Sequence, residues 1–156
     1  MTQDTLEKPR IEKVSKRRPL ATLILITMEA LLALISIPSG ISMLMDPTGS
    51  GIGGQFILPY LTQAVLFVHD FLPIGIWLVT VFGVLPIVAA VGVWASKRWA
   101  WYTSVLLGAI VVTWIGVELV MFYSLGFTWF YPLIGGIGLA ILGLSLLPAV
   151  RRSLNM

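Results

Sequence analysis

Charge is what this chain has least of. Of its 156 residues only 11% are charged and 58% are hydrophobic, and the mean hydropathy is +0.96. A soluble domain carries about 25% charged residues, so this chain is too poor in charge to cover a water-facing globule. Its apolar surplus equally excludes disorder. Cysteine is absent and histidine occurs once. No disulfide, thiolate metal site, cysteine-ligated iron–sulfur cluster or redox dithiol can form, and one chain cannot supply bis-histidine haem ligation. What remains is an all-α integral membrane protein.

Long hydrophobic runs are what it does have. Residues 1–19 form a polar, basic tail ending in Pro19, and the run Leu20 to Met45 follows. That run far exceeds a signal-peptide core of about 7–15 residues, so it is a retained first span. At 1.5 Å per residue it reaches about 39 Å, enough to cross roughly 30 Å of hydrocarbon with tilt. Pro38 and Gly40 are expected to bend or end its outer part. Asp46-Pro47-Thr48-Gly49-Ser50-Gly51 then reads as a turn. Within the outer segment 46–73, the stretch between Pro59 and Pro73 is too short to span and reads as an interfacial or re-entrant helix. Its Thr62 and Gln63 lie seven residues before His69 and Asp70, which would put all four on one helix face. Further spans are expected over about 74–95, with Pro86 inside, and over 99–123 and 129–150, before a short C-terminus at 151–156. The expected transmembrane domain is therefore a four-helix bundle over 20–150.

Orientation follows from the basic residues. Six lie in the tail, Lys97 and Arg98 in the turn between the second and third spans, and Arg151 and Arg152 after the fourth, which accounts for all ten. Four spans place every one on the same side, and the positive-inside rule makes that side cytoplasmic. A fifth span at 56–72 would move the last four outside. Aromatic residues agree, with Trp94, Trp99, Trp101 and Tyr102 at the inner boundary and Trp77, Phe122, Tyr123, Phe127, Trp129, Phe130 and Tyr131 at the outer one. The basic balance thus reports topology and adhesion to anionic lipid, and gives no support for a nucleic-acid partner.

Small residues mark helix contacts in lipid. Ala30, Ala33, Ala89, Gly92, Ser96, Gly108, Gly116, Gly135, Gly136, Gly138, Ala140 and Gly143 are the candidates, with Gly92/Ser96 and Gly136/Ala140 at small-xxx-small spacing. The glycine-rich stretch 49–54 is not a phosphate loop, because no lysine-serine or lysine-threonine pair follows it.

Four acids lie beyond the tail: Glu29, Asp46, Asp70 and Glu118. Glu29 sits about 14 Å into the first span, near the midplane. An ionisable group there is a functional hypothesis by default, and without a cation it is expected to be neutral. Pro86, at a similar depth, leaves the carbonyl of Phe82 without its usual donor. Glu29 is therefore expected to donate to that carbonyl, with proton coupling as the competing role. Asp46, His69, Asp70 and Glu118, with Ser39 and Trp77 nearby, are expected at one outer level. They form a candidate polar or ligand cluster whose spacing is not a metal signature. Capping and turn formation compete with that role, through Asp46 before Pro47 and Asp70 before Leu72.

The runs Met28-Glu29-Ala30-Leu31-Leu32, Ile37-Pro38-Ser39-Gly40, Asp46-Pro47-Thr48-Gly49 and His69-Asp70-Phe71-Leu72-Pro73-Ile74-Gly75 resemble small uncharacterised four-span membrane proteins of prokaryotes; Pro86, Trp99-Ala100-Trp101 and Trp114 complete the likeness. More loosely, the architecture is similar to DoxX-like proteins. The resemblance covers residues 20–148 and implies a four-helix fold in a prokaryotic cell membrane, with no activity to carry over. No catalytic residue, metal or obligatory cofactor is expected, and a lipid or quinone is the only small-molecule companion entertained. Three functions compete: a non-catalytic accessory or scaffold subunit within a complex or homo-oligomer, a proton-coupled transporter acting as an oligomer through Glu29, and a quinone-linked redox protein. The first is preferred.

Overall fold

The computed structural model describes residues 18–64, 68–121 and 130–154. Most of the basic tail, the third-to-fourth turn, and the expected outer aromatics Phe122, Tyr123, Phe127 and Trp129 lie outside the described residues.

Helix α1 runs Leu20–Met45, matching the first expected span. Pro38 lies inside it without ending it. Neighbouring hydroxyls supply backbone partners, with Ser39 Oγ donating to the Ile35 carbonyl at 2.9 Å and Ser42 Oγ to the Pro38 carbonyl at 2.9 Å. These bonds reach the Ile35 and Pro38 carbonyls, while the carbonyl that Pro38 itself leaves without its usual amide is that of Leu34. Gly40 does not break the helix either.

After two short 3₁₀ turns, α2 spans Leu58–Ala64. Of the helix expected between Pro59 and Pro73, residues 65–67 lie outside the described residues. His69, Asp70 and Phe71 form a bend outside any helix, so they do not share a helix face with Thr62 and Gln63. Helix α3, Leu72–Trp94, begins directly after that bend, with Pro73 in its first turn, where a missing N–H costs nothing.

Proline also shapes the middle of α3. An α-helical turn at Leu72–Trp77 widens into a π-helix at Leu78–Val84 and returns to α-helix at Leu85–Trp94. Pro86 lacks an N–H, and its ring crowds the carbonyl four residues earlier. Immediately before it, the Leu85 amide reaches back five residues to the Thr80 carbonyl, the wider π-type pairing.

A short hairpin joins α3 to α4, Arg98–Met121. Lys97 N–H bonds the Gly92 carbonyl at 2.9 Å and Ser96 N–H bonds the Val93 carbonyl at 3.0 Å, the paired bonds of a Schellman cap. Ser96 takes φ 53° to close it and so leaves the helix. Helix α5 is Phe130–Leu146 and α6 is Pro148–Ser153. The fourth expected span, 129–150, is therefore interrupted. Leu147 is extended ahead of Pro148, because a residue before proline is driven from helical geometry.

Three helices (α1, α3 and α4) are long and apolar enough to cross a membrane, while α5 is a shorter apolar helix. Adjacent helices run antiparallel. At one end, the Arg18 guanidinium lies 4.6 Å from the Trp94 ring, and Trp101 Nε1 donates to the Ser145 carbonyl at 2.7 Å. Thr22 and Ser153 share a hydroxyl hydrogen bond of 3.0 Å at that same end. The interior comprises Leu25, Leu32, Phe82, Val93, Leu107, Val111 and Ile141 among others. Outside, Leu34 is 70% exposed, Leu106 58% and Leu139 61%, which suits a hydrocarbon surround far better than water.

Glycines decide how closely the helices approach. A Cβ on Gly40 would lie 2.9 Å from the Gly75 carbonyl oxygen, and one on Gly75 would lie 3.0 Å from the Gly40 oxygen. The two backbones therefore meet at a reciprocal glycine crossing between α1 and α3. Gly108 makes a similar approach to α5, 2.7 Å from the Leu142 nitrogen. By contrast, among the described residues Gly116, Gly136 and Gly143 have nothing within 4 Å of an added Cβ, and Ala30 is exposed. Gly40→Ala and Gly75→Ala are each expected to cost about 1–3 kcal/mol by overpacking. Gly116→Ala and Gly143→Ala should instead stabilise by about 0.5–1 kcal/mol; reversible unfolding in detergent ranks the four.

Candidate functional site

The buried face of α1 repeats in sevens. Thr22, Glu29 and Ser36 are buried two turns apart, with Leu25, Leu32 and Ala33 between them. This is the three-and-four spacing of a helix seam, with polar groups at one of its two positions. Across from it, α4 buries Ala100, Ser104, Leu107, Gly108, Val111 and Ile115.

Glu29 is 0% exposed. Its Oε1 accepts from Ser104 Oγ at 2.5 Å, linking α1 to α4. Its Oε2 has no partner among the described residues. The expected bond to the Phe82 carbonyl is not made. The π-helical stretch redistributes backbone bonds ahead of Pro86, and a hydroxyl on the facing helix takes the carboxyl instead. Ser104 went unrecognised in the sequence because a serine within a span has no fixed meaning. The repeat Thr22, Glu29, Ser36 was the available signal, since it marks the interior face of α1.

The four expected outer residues separate into different environments. Asp46 organises its own turn: Oδ1 accepts from Thr48 Oγ1 at 2.5 Å and Thr48 N–H at 3.2 Å, while Oδ2 accepts from Ser50 Oγ and Gly51 N–H, each at 2.8 Å. The Thr48 hydroxyl first, then the Gly51 amide and Ser50 hydroxyl, hold its carboxyl down from 3.8 to about 2. Asp70 Oδ1 accepts from the Leu72 N–H at 2.9 Å at the start of α3. His69 is exposed. Both turns are tied together by Phe71, whose N–H donates to the Pro47 carbonyl at 2.8 Å. Its ring occupies the space that side chains on Gly49 and Gly54 would need, and Gly49 also requires φ 70°.

Glu118 bonds within its own helix, α4. Its Oε1 accepts from Trp114 Nε1 at 2.7 Å. Trp114 stacks on Trp77 with centroids 5.7 Å apart and meets Phe82 edge-on at 6.0 Å. Trp77, expected in the outer aromatic belt, is thus part of an interhelical aromatic cluster, with its Nε1 buried and unpartnered among the described residues. Beside Glu118 lies a cavity of about 400 Å³ bordered by α1, α3, α4 and α5. Among the described residues, no three His, Cys, Asp or Glu side chains are grouped to hold a metal ion. Comparison with protein-family models, curated proteins and solved structures yields no match.

Ser104→Ala would leave both Glu29 oxygens unpaired and is expected to destabilise by about 1–2 kcal/mol, within the range for lost buried partners. Adding Glu29→Met should recover most of that loss, because paired apolar replacement removes the unsatisfied group; detergent unfolding of both variants provides the measurement. Asp46 supplies a pH test. Its carboxyl is held below its unfolded value of about 3.9, so its contribution is present above that value and disappears as pH falls through about 2. Wild type should therefore melt above Asp46→Asn at pH 7, with the gap narrowing between about pH 4 and 2 in a thermal scan.

Proposed function

We propose that the chain is a four-span protein of the prokaryotic cell membrane that serves as a non-catalytic accessory or scaffold subunit. In this reading α5 supplies the fourth crossing, α2 lies at the outer interface, and both termini are cytoplasmic. Support for that orientation comes from Arg18, Lys97, Arg98, Arg151 and Arg152, which flank the helix ends joined by the Arg18–Trp94, Trp101–Ser145 and Thr22–Ser153 contacts. Its surroundings are the lipid bilayer and a membrane complex or a second copy of itself.

The observation that carries the non-catalytic reading is how the acids are used. Glu29 ties two helices, Asp46 and Asp70 build turns, and Glu118 bonds an indole on its own helix. Each carboxyl has at least one oxygen engaged in local architecture, and no nucleophile is set against a base in these contacts. A proton-coupled reading retains one specific support, the unpartnered Oε2 of the buried Glu29.

The absence of native cysteine permits a direct topology test. Ser50→Cys should react with an impermeant maleimide on intact cells, and Lys97→Cys only after permeabilisation; the reverse pattern overturns the orientation. Extraction in several mild detergents should then recover the chain at constant stoichiometry with one membrane partner or with itself. A monomer in all of them overturns the subunit reading, and proton-dependent flux abolished by Glu29→Gln in a folded protein establishes the transport reading.

A further inference from the structure

The cavity beside Glu118 has a chemistry that the scaffold role does not use. Its walls are mostly aliphatic and aromatic, including Ile35, Leu78, Phe82 and Ile115. Its polar residues are Ser36, Ser39, Ser42 and Glu118, with Trp114 alongside. The donors among them are largely consumed. Ser39 and Ser42 donate to carbonyls of their own helix, and the Trp114 N–H donates to Glu118. What these groups still offer is acceptor capacity, in hydroxyl lone pairs and in the carboxyl of Glu118, which also interacts electrostatically with the Tyr131 phenol. Ser36 adds a hydroxyl that makes no hydrogen bond among the described residues although the residue is only 4% exposed, and it is free to turn as donor or acceptor.

An apolar chamber with an acceptor-rich polar end selects an apolar molecule whose head donates hydrogen bonds. A carboxylate among those acceptors makes a positive head better than a neutral one, and the bordering Phe82 and Trp114 rings favour a cation further. The volume, about 400 Å³, falls at the lower end of small-molecule sites. Glu118 is also pre-positioned, because Trp114 is bonded to it and clamped by Trp77 and Phe82. By helix rise, Glu118 and Ser42 lie towards the outer ends of their helices, and Ser36 and Phe82 lie deeper. The head therefore sits outward and the apolar body points inward. We propose that this cavity binds a small cationic amphiphile, a protonated amine on an aliphatic or aromatic body, with Glu118 as its counter-ion.

Three probes of equal chain length separate this from simple lipid filling: octylammonium, octanol and octanoate. Each is titrated into the full chain in a maltoside detergent at pH 8, with melting temperature and tryptophan emission as readouts. Octylammonium should raise the melting temperature and shift the emission saturably, as a ligand of the folded state does, with octanol at least tenfold weaker and octanoate inactive. Glu118→Gln should weaken octylammonium at least tenfold. Ile134→Trp, which fills the cavity with Glu118 intact, should abolish saturable binding and serves as the test if Glu118→Gln does not fold. Equal responses to all three probes, unchanged affinity in a folded Glu118→Gln, or retained binding in Ile134→Trp would each overturn the proposal.

Discussion

The hydrogen bond from Ser104 to Glu29 is the interaction around which the interior is arranged. Hydrocarbon outside a helix is as apolar as the side chains inside, so burial alone gives packed helices little preference for one another. Specific register has to come from groups that cannot be left to lipid. Glu29 is such a group, and its reach to Ser104 sets α1 against α4 at mid-depth. The glycine crossing of Gly40 with Gly75 sets α1 against α3, and Gly108 sets α4 against α5. One polar pair and two close backbone approaches thus relate all four packed helices.

That division explains what was legible beforehand. Helices α1, α3 and α4 stand where the hydrophobic runs put them, because continuous apolarity between turn residues fixes length and position almost independently of packing. Which face of each helix turns inward was much harder to read. In water the core face is the apolar one, but here Leu34 outside and Leu32 inside are the same residue type. Only polar and small side chains carry the distinction, and only some of them do. Gly108 is packed whereas Gly116, two turns along the same helix, has no described neighbour within 4 Å of an added Cβ.

The misplacements share a local cause. Pro148 stands at the end of a run that remains apolar through Val150, and hydrophobicity alone carried the expected span past the break. For the outer acids, linear depth places groups at a level without saying which neighbours compete for them. Asp46 and Asp70 were claimed by amides and hydroxyls within a few residues, a competition that short polar side chains near helix ends usually win. Glu118, too far along α4 for such a turn, found the indole one turn back.

The π-helical stretch of α3 also acts as a phase setter. Widening the helix adds roughly one residue to a turn, so the half before Pro86 is offset by about 100° from an uninterrupted α-helix. Trp77 lies in that earlier half, and its stack on Trp114 depends on the offset. A single imino acid nine positions away thereby determines the azimuth of an indole. Through that indole, it influences where the carboxyl group on another helix comes to rest.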